Sequence, residues 1–249
     1  MKTKILSFFG LFLLIGFLAC GYSSPAAASE KIPEKFMKMG TSSSGGIFNA
    51  LGVLLCQMWT EKITPVNFSA KVTQGSAENA LTLGKKEIEV AFVEGLTASE
   101  AFKGEGQFKG KACPTLRVMA NLFPAVLHFA VLKKSNINNI LDFQGKKINV
   151  GTPGSGTETV ALTLFDFFGL KAADFSPRRM KHADAATAVS DEKIDGYFQM
   201  GGLGIAHQMR SLASGKVKLV PVEPKELREK FLKRYPHFYE YIIPAKAYP

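Results

Sequence analysis

The chain is poor in the residues that usually carry metal and nucleophile chemistry. Its 249 residues include three cysteines, four histidines and one tryptophan. Cys20 sits in an N-terminal apolar stretch, while Cys56 and Cys113 have no metal-like partner spacing and read as buried thiols ahead of a disulfide. His128, His182, His207 and His237 are dispersed, with no HExxH pair, and no GxSxG elbow occurs. No metal site, cofactor or catalytic residue is therefore expected, and an enzyme would need a cluster that only folding creates. A continuous basic stripe is also missing. The excess of 31 basic over 21 acidic residues favours anionic partners in general. Yet Lys85-Lys86, Lys133-Lys134, Lys146-Lys147 and Arg178-Arg179 fall singly at element ends without interleaved aromatics, which leaves nucleic-acid binding unsupported. Past residue 18 no apolar run approaches the roughly 20 residues of a membrane span.

What the chain does have begins at its start. Lys2 and Lys4 precede an apolar stretch from Ile5 to Leu18, followed by Ser23, Ser24, Pro25 and Ala26 to Ala28. This matches a secretory signal over residues 1–28, with the mature chain beginning near Ser29 and exported. Lys2 and Lys4 leave with the signal, so the net charge falls from +10 to +8. Leu18-Ala19-Cys20 is a competing cue, a weak lipobox that would anchor the protein through Cys20.

Beyond the signal, strand-like and helix-like segments alternate. Residues 35–39 read as a strand, the loop GTSSSGG follows, and Ile47, Leu51, Leu54, Leu55 and Met58 fall at helical spacing. Val66 to Val72 is strand-like, Ser76 is a candidate N-cap for a helix over 77–86, and Ile88 to Val93 is the next strand. Strands are predicted at Arg117–Leu122, Leu127–Leu132, Lys147–Val150, Ile194–Met200 and Val217–Val222. Helices are predicted at 157–168, 183–190, 205–212 and 223–234. The alternation implies an α/β protein with largely parallel sheets.

The segment KINVGTPGSGTETVALTLFDFFG, residues 147–169, holds the most informative loop. Its glycines let backbone N–H groups approach a ligand at a helix start. The nucleotide motifs nonetheless fail, because Thr157 stands where a P-loop needs Lys and Thr159 where a dinucleotide motif needs Gly. Ser155 and Glu158 also fit a capping box, which needs no ligand at all.

The series MGTSSSGGIFNALG, TQGSAENALTLGKKEIEVAFVEG, LRVMANLFPAVLHFAVLKKSNINNILDFQGKKINVGTPGSGTE and DEKIDGYFQMGGLG resembles, in order and spacing, the TAXI family of extracytoplasmic receptors for TRAP transporters. The resemblance implies a two-lobed periplasmic-binding-protein fold of the second type, each lobe a mostly parallel sheet flanked by helices, with the ligand cleft between lobes. It implies lobe one over 29–126, lobe two over 127–222, and a return of 223–249 toward lobe one that stops short of its relatives. The expected protein is a monomeric periplasmic receptor that hands a small anionic solute, an acidic amino acid or a dicarboxylate, to an ion-gradient-driven TRAP permease. A receptor for an ABC importer and a ligand sensor on the same fold are the alternatives, with an enzyme behind them.

Ligands of open α/β sheets sit where strands run into helices. The expected contacts are thus Thr41, Ser42, Ser43, Ser44 and Gly45 in the first loop, Gln74 in the second, and Thr152, Gly154, Ser155, Gly156 and Thr157 in the third. Phe198 is expected from its strand, with Tyr197 facing the core, and Phe123 is read as core or cleft wall. Glu94 stands where the resembled family often carries a neutral residue, and in a cleft it would meet a ligand ammonium. The first loop also has more hydroxyls and fewer glycines than the pattern it resembles.

Overall fold

A computed structural model describes residues 33–171 and 173–249. The signal segment, Cys20 and the Ser29 cleavage point lie outside the described residues. A first sheet is made of β1 (Lys35–Gly40), β2 (Val66–Lys71) and β3 (Val90–Ala91), in the order β2-β1-β3 and parallel throughout. A second sheet holds β4 (Val126–Leu132), β5 (Lys147–Asn149), β6 (Ser176–Arg178), β7 (Gly196–Gly201) and β8 (Val217–Val220), in the order β6-β5-β7-β4-β8. Here β5 is parallel to β6 and β7, while β4 runs antiparallel to both β7 and β8. Four strands therefore share one direction and β4 is threaded against them. Among the described residues six α-helices connect the strands and a seventh follows the last one: α1 (Ile47–Lys62), α2 (Ser76–Gly84), α3 (Gly95–Lys103), α4 (Gly156–Phe167), α5 (His182–Ser190), α6 (Ala206–Ala213) and α7 (Lys225–Arg234). The expected α/β class with parallel-rich sheets is what the chain adopts.

The hydrophobic stripe of α1 is offset from the one read in the sequence. Phe48, Leu51, Gly52, Leu55, Cys56 and Trp59 face Met39, Phe68 and Phe92, whereas Leu54 and Met58 are exposed. The buried set follows the i, i+3, i+4, i+7 rhythm of a helix lying on a sheet. Gly52 is needed in that stripe, because a Cβ there would sit 2.4 Å from Cγ2 of Thr41. Cys56 and Cys113 are both free and buried, and burial pushes both thiols up.

In the second sheet both faces are covered, and this settles Tyr197 and Phe198. Alternation along β7 sends Phe198 into an aromatic cluster, 4.6 Å from Phe129 and 6.0 Å from Phe165 between ring centroids. Tyr197 goes to the other face, among Ala130, Ala185, Val189 and Leu212. Neither reaches a cleft, so the expected ligand role of Phe198 gives way to a core role. Both residues lie in the fully covered part of β7; only its end, at Met200 and Gly201, opens toward a cleft.

Two further readings change. Arg117–Leu122 carries no strand pairing, and Val118 and Met119 are exposed. The first sheet stops at β3, so no ladder receives the segment. Strand β6 and helix α3 were not anticipated. Pro177 sits in β6, an edge strand, where a missing N–H is tolerated. Helix α7 lies on the second layer, Phe231 packing 5.3 Å from Phe167, and His237 beyond it comes up to Gly95 of α3. Among the described residues, no helix is long and apolar enough to cross a membrane.

Phe198→Ala should lower the unfolding free energy by about 3–5 kcal/mol through the cavity it leaves. Urea denaturation measures the loss, and a change under 1 kcal/mol would remove Phe198 from the core it is assigned to.

Candidate functional site

Four helix starts face one cleft. Its polar lining comes from Ser42 and Ser43 before α1, Gln74 and Ser76 at α2, Thr152, Ser155 and Thr157 at α4, and Lys181 and His182 at α5. Phe48, Phe123, Met180 and Met200 give it an apolar wall. Lys181 and His182 are the basic groups among these lining residues, and no carboxylate is among them.

The sequence-predicted residues divide accordingly. Ser42, Ser43, Gln74, Thr152, Ser155, Gly156 and Thr157 line the cleft. Thr41, Ser44, Gly45, Gly154, Glu94 and Phe198 do not. Thr41 is buried, its hydroxyl donating to the Lys71 carbonyl at 2.8 Å and accepting from the Asn49 amide at 3.3 Å. It fastens β1 to the end of β2 and to α1. Ser44 and Gly45 are exposed at the loop tip, where Gly45 takes φ of +83°. Phe123 both lines the cleft and packs on Phe48, 6.2 Å between centroids.

Glu94 has a different occupation from the ammonium partner expected of it. It is the N-cap of α3, accepting from the N–H of Leu96 at 2.8 Å and of Thr97 at 3.0 Å, and from the Thr97 hydroxyl at 3.0 Å. Both carboxylate oxygens are thus engaged with its own helix. Burial nonetheless raises its pKa, outweighing the three bonds that favour the charged form. Its own N–H donates to Ser76 Oγ at 3.0 Å, so Ser76 is not the cap of α2 but a tie between α2 and α3.

The start of α4 combines the two readings that its loop allows. Ser155 is the N-cap: its Oγ accepts from Glu158 N–H at 3.1 Å and donates to the Thr152 carbonyl at 2.7 Å. Glu158 does not close the box on the cap residue. One of its oxygens accepts from Gly154 N–H at 3.0 Å and the other pairs with Arg179 Nε at 2.6 Å. The Ser155 hydroxyl is consumed by folding. The N–H groups of Gly156 and Thr157 have no partner among the described residues. Neither α1 nor α5 has a side-chain cap.

Helix α2 is closed off. The Gly154 carbonyl accepts from Ala77 N–H at 3.1 Å and Glu78 N–H at 3.3 Å. Gly156 permits this approach, since a Cβ there would lie 2.6 Å from Ser76 Oγ, while Gly75 supplies the φ of +121° that the turn into α2 takes. Orphan first-turn donors that an anion might have used are occupied by backbone.

Lys181 and His182 were missed because a lone histidine and a lysine before a short helix carry no motif. In the fold, His182 Nε2 lies 3.3 Å from Thr157 Oγ1, and its ring stacks on His207 at 6.3 Å with 5° between planes. His207 Nε2 in turn meets Gln199 Oε1 at 3.0 Å. Burial, then the neighbouring His207, pushes the His182 pKa down to about 4, so the ring is neutral near pH 7.

The NMT1-like pattern matches residues 39–249. The chain belongs to the NMT1-like family. Solved structures place this NMT1-like chain in the periplasmic-binding-protein fold. The alkanesulfonate-binding protein SsuA from Xanthomonas axonopodis pv. citri, bound to MOPS, superposes with a TM-score of 0.51 at 13% identity, covering 76% of this chain and 61% of its own. A binding protein component of an ABC phosphonate transporter from Pseudomonas aeruginosa gives 0.55 at 12%, covering 82% and 74%. An ancestral arginine-binding protein bound to arginine gives 0.53 at 14%, covering 82% and 95%. The chain spans about three fifths of the length of the SsuA protein it matches.

Glu94→Gln keeps a cap acceptor and removes the buried charge. A raised folded-state pKa means that the Glu94 contribution is fully present below the ordinary carboxyl range and is lost as pH rises through the raised value. Relative to wild type, E94Q should therefore gain stability between pH 4.5 and 7, by at most about 1.4 kcal/mol per pH unit. Parallel urea curves at the two pH values test it, and a constant difference would mean that Glu94 titrates normally.

Proposed function

We propose that this NMT1-like chain is an extracytoplasmic solute receptor that captures a small anionic solute and passes it to a membrane permease. One observation carries the reading: the starts of α1 and α5, which have no side-chain cap, and of α4, where the N–H groups of Gly156 and Thr157 stay unpaired beside the Ser155 cap, converge on a cleft with a lysine and no carboxylate among its lining residues. Unpaired first-turn N–H groups and the positive helix end both favour an anion there, the dipole contributing roughly 0.3–2 kcal/mol. The N–H groups of Gly156 and Thr157 and the hydroxyl of Thr157 are the donors we assign to a ligand carboxylate. The aliphatic chain of an acidic amino acid or dicarboxylate would rest on Phe48, Phe123, Met180 and Met200. We take 29–126 and 127–222 as the lobes that close on it, after removal of residues 1–28.

Two permease classes follow from different observations. The residue series that resembles TAXI receptors favours an ion-gradient-driven TRAP permease. The ABC phosphonate-transporter component among the neighbours favours an ATP-driven importer, and together with the alkanesulfonate-binding protein it extends the ligand range to phosphonates and sulfonates. Transport reconstituted with each permease type would separate the two.

A thermal-shift screen against acidic amino acids, dicarboxylates, sulfonates and phosphonates tests the anion reading. A ligand at 100 times its dissociation constant should stabilise the protein by about 2.7 kcal/mol. Thr157→Val should then weaken binding of that ligand by on the order of 1–3 kcal/mol, since a charged partner loses a donor. Stabilisation by neutral solutes alone would refute the reading, and an unchanged affinity in T157V would move the carboxylate away from α4.

A further inference from the structure

His182 occupies a position that the capture of an anion does not by itself require. Its ring lines the cleft at the start of α5, one nitrogen facing the Thr157 hydroxyl and one face stacked on His207. The residue keeps some exposure, but its Nδ1 is sealed from solvent and has no hydrogen-bond partner among the described residues. An imidazolium there would hold a buried N–H with no acceptor.

The charged and titratable groups around the ring explain why it stays neutral when the cleft is empty. From α6 it faces His207, whose own pKa is lowered by burial and by Arg210. Lys181 precedes it as the N-cap of α5, and Asp184 lies in the same first turn. From α4 it faces Thr157; the nearby Glu158 carboxylate is already shared between Arg179 and Gly154 N–H. Burial, and after it the neighbouring His207, thus oppose a further proton, and an arriving anion would act in the opposite direction.

We infer that the ligand anion enters together with one proton, taken from solvent by His182, so that the cleft binds anions more tightly as pH falls. The inference rests on the anion-receptor reading above. Protonation changes charge without breaking any covalent bond: neutral imidazole and H⁺ give imidazolium, whose charge the ligand offsets. With the free-ring pKa at about 4 and a bound-ring pKa above it, affinity falls as pH rises between the two values. The same linkage makes release easier toward neutral pH.

Isothermal titration calorimetry with L-glutamate and with ethanesulfonate tests this, because both probes hold their charge between about pH 5.5 and 7.5. Runs in two buffers of different ionisation heat count the protons. We expect fractional proton uptake on binding, larger at the lower pH and at most one proton per ligand, with a dissociation constant that rises with pH by no more than about tenfold per unit. His182→Gln should flatten that profile. In the wild-type protein, a histidine NMR titration should show the His182 midpoint moving up on saturation with the bound probe, which needs no variant to fold. Binding with no proton uptake, or an unmoved His182 midpoint, overturns the inference and leaves the receptor reading standing. Failure of both probes to bind at either pH overturns the anion reading and the inference with it.

Discussion

The contact on which the cleft depends is the meeting of two helix starts. The Gly154 carbonyl accepts from the first-turn N–H groups of Ala77 and Glu78, so the loop before α4 caps α2. Two glycines make the meeting possible: Gly156 leaves room for Ser76, and Gly75 takes the φ of +121° that leads into α2. A side chain at Gly156 would press on Ser76, and one at Gly75 would strain the turn, so that either would weaken the satisfaction of α2 by neutral backbone. Because α2 is satisfied in this way, the donors left facing the cleft belong to α1, α4 and α5. The geometry thus selects which helix ends are available to a solute.

The electrostatics follow the same division of labour. Two carboxylates beside the cleft loops are spent elsewhere: Glu94 caps α3, and Glu158 holds the Gly154 N–H and the Arg179 side chain. Had either pointed inward, its charge would oppose the helix ends across a few ångströms of poorly solvated space. Their removal into caps leaves Lys181, the helix starts and hydroxyl groups as the polar face of the cleft, with phenylalanine and methionine beside them.

The α/β alternation was legible because each strand is a short apolar run and each helix has a turn residue at its boundary, as Gly169 does after α4 with φ of +82°. The loops were legible for the same reason: hydroxyls and glycines between a strand and a helix in this class sit at the strand's carboxyl end. Side-chain direction was not. Glu94 stands after a strand at a position that the family resemblance brings to the cleft, and nothing local marks it as a cap, since glutamate is an uncommon N-cap and the helix it starts carries no strong apolar period. Phe198 was read toward the cleft because alternation tells two faces apart but not whether both are covered. His182 and His207 are separated by 24 positions in the chain, and only the packing of α5 against α6 stacks them. Strand Arg117–Leu122 has the right residues, but β-propensity describes the fit to a ladder and here no ladder is present.

Leaving helix starts without side-chain caps is costly for a fold of this size, since a cap contributes on the order of 0.5–2 kcal/mol. Helices α1 and α5 have none, and α4 spends Ser155 on a single first-turn donor while Gly156 and Thr157 keep theirs. Water satisfies such groups adequately in an open cleft but gains nothing from the helix dipole as a net charge does. An anion that replaces this water therefore supplies the missing caps of several helices at once. Those helices rise from both sheets, so on the receptor reading proposed above an anion would stabilise each side separately and also draw them onto a common centre. Binding and folding stability would then be coupled at these donors, and the absence of local caps would give an arriving charge its leverage over the chain.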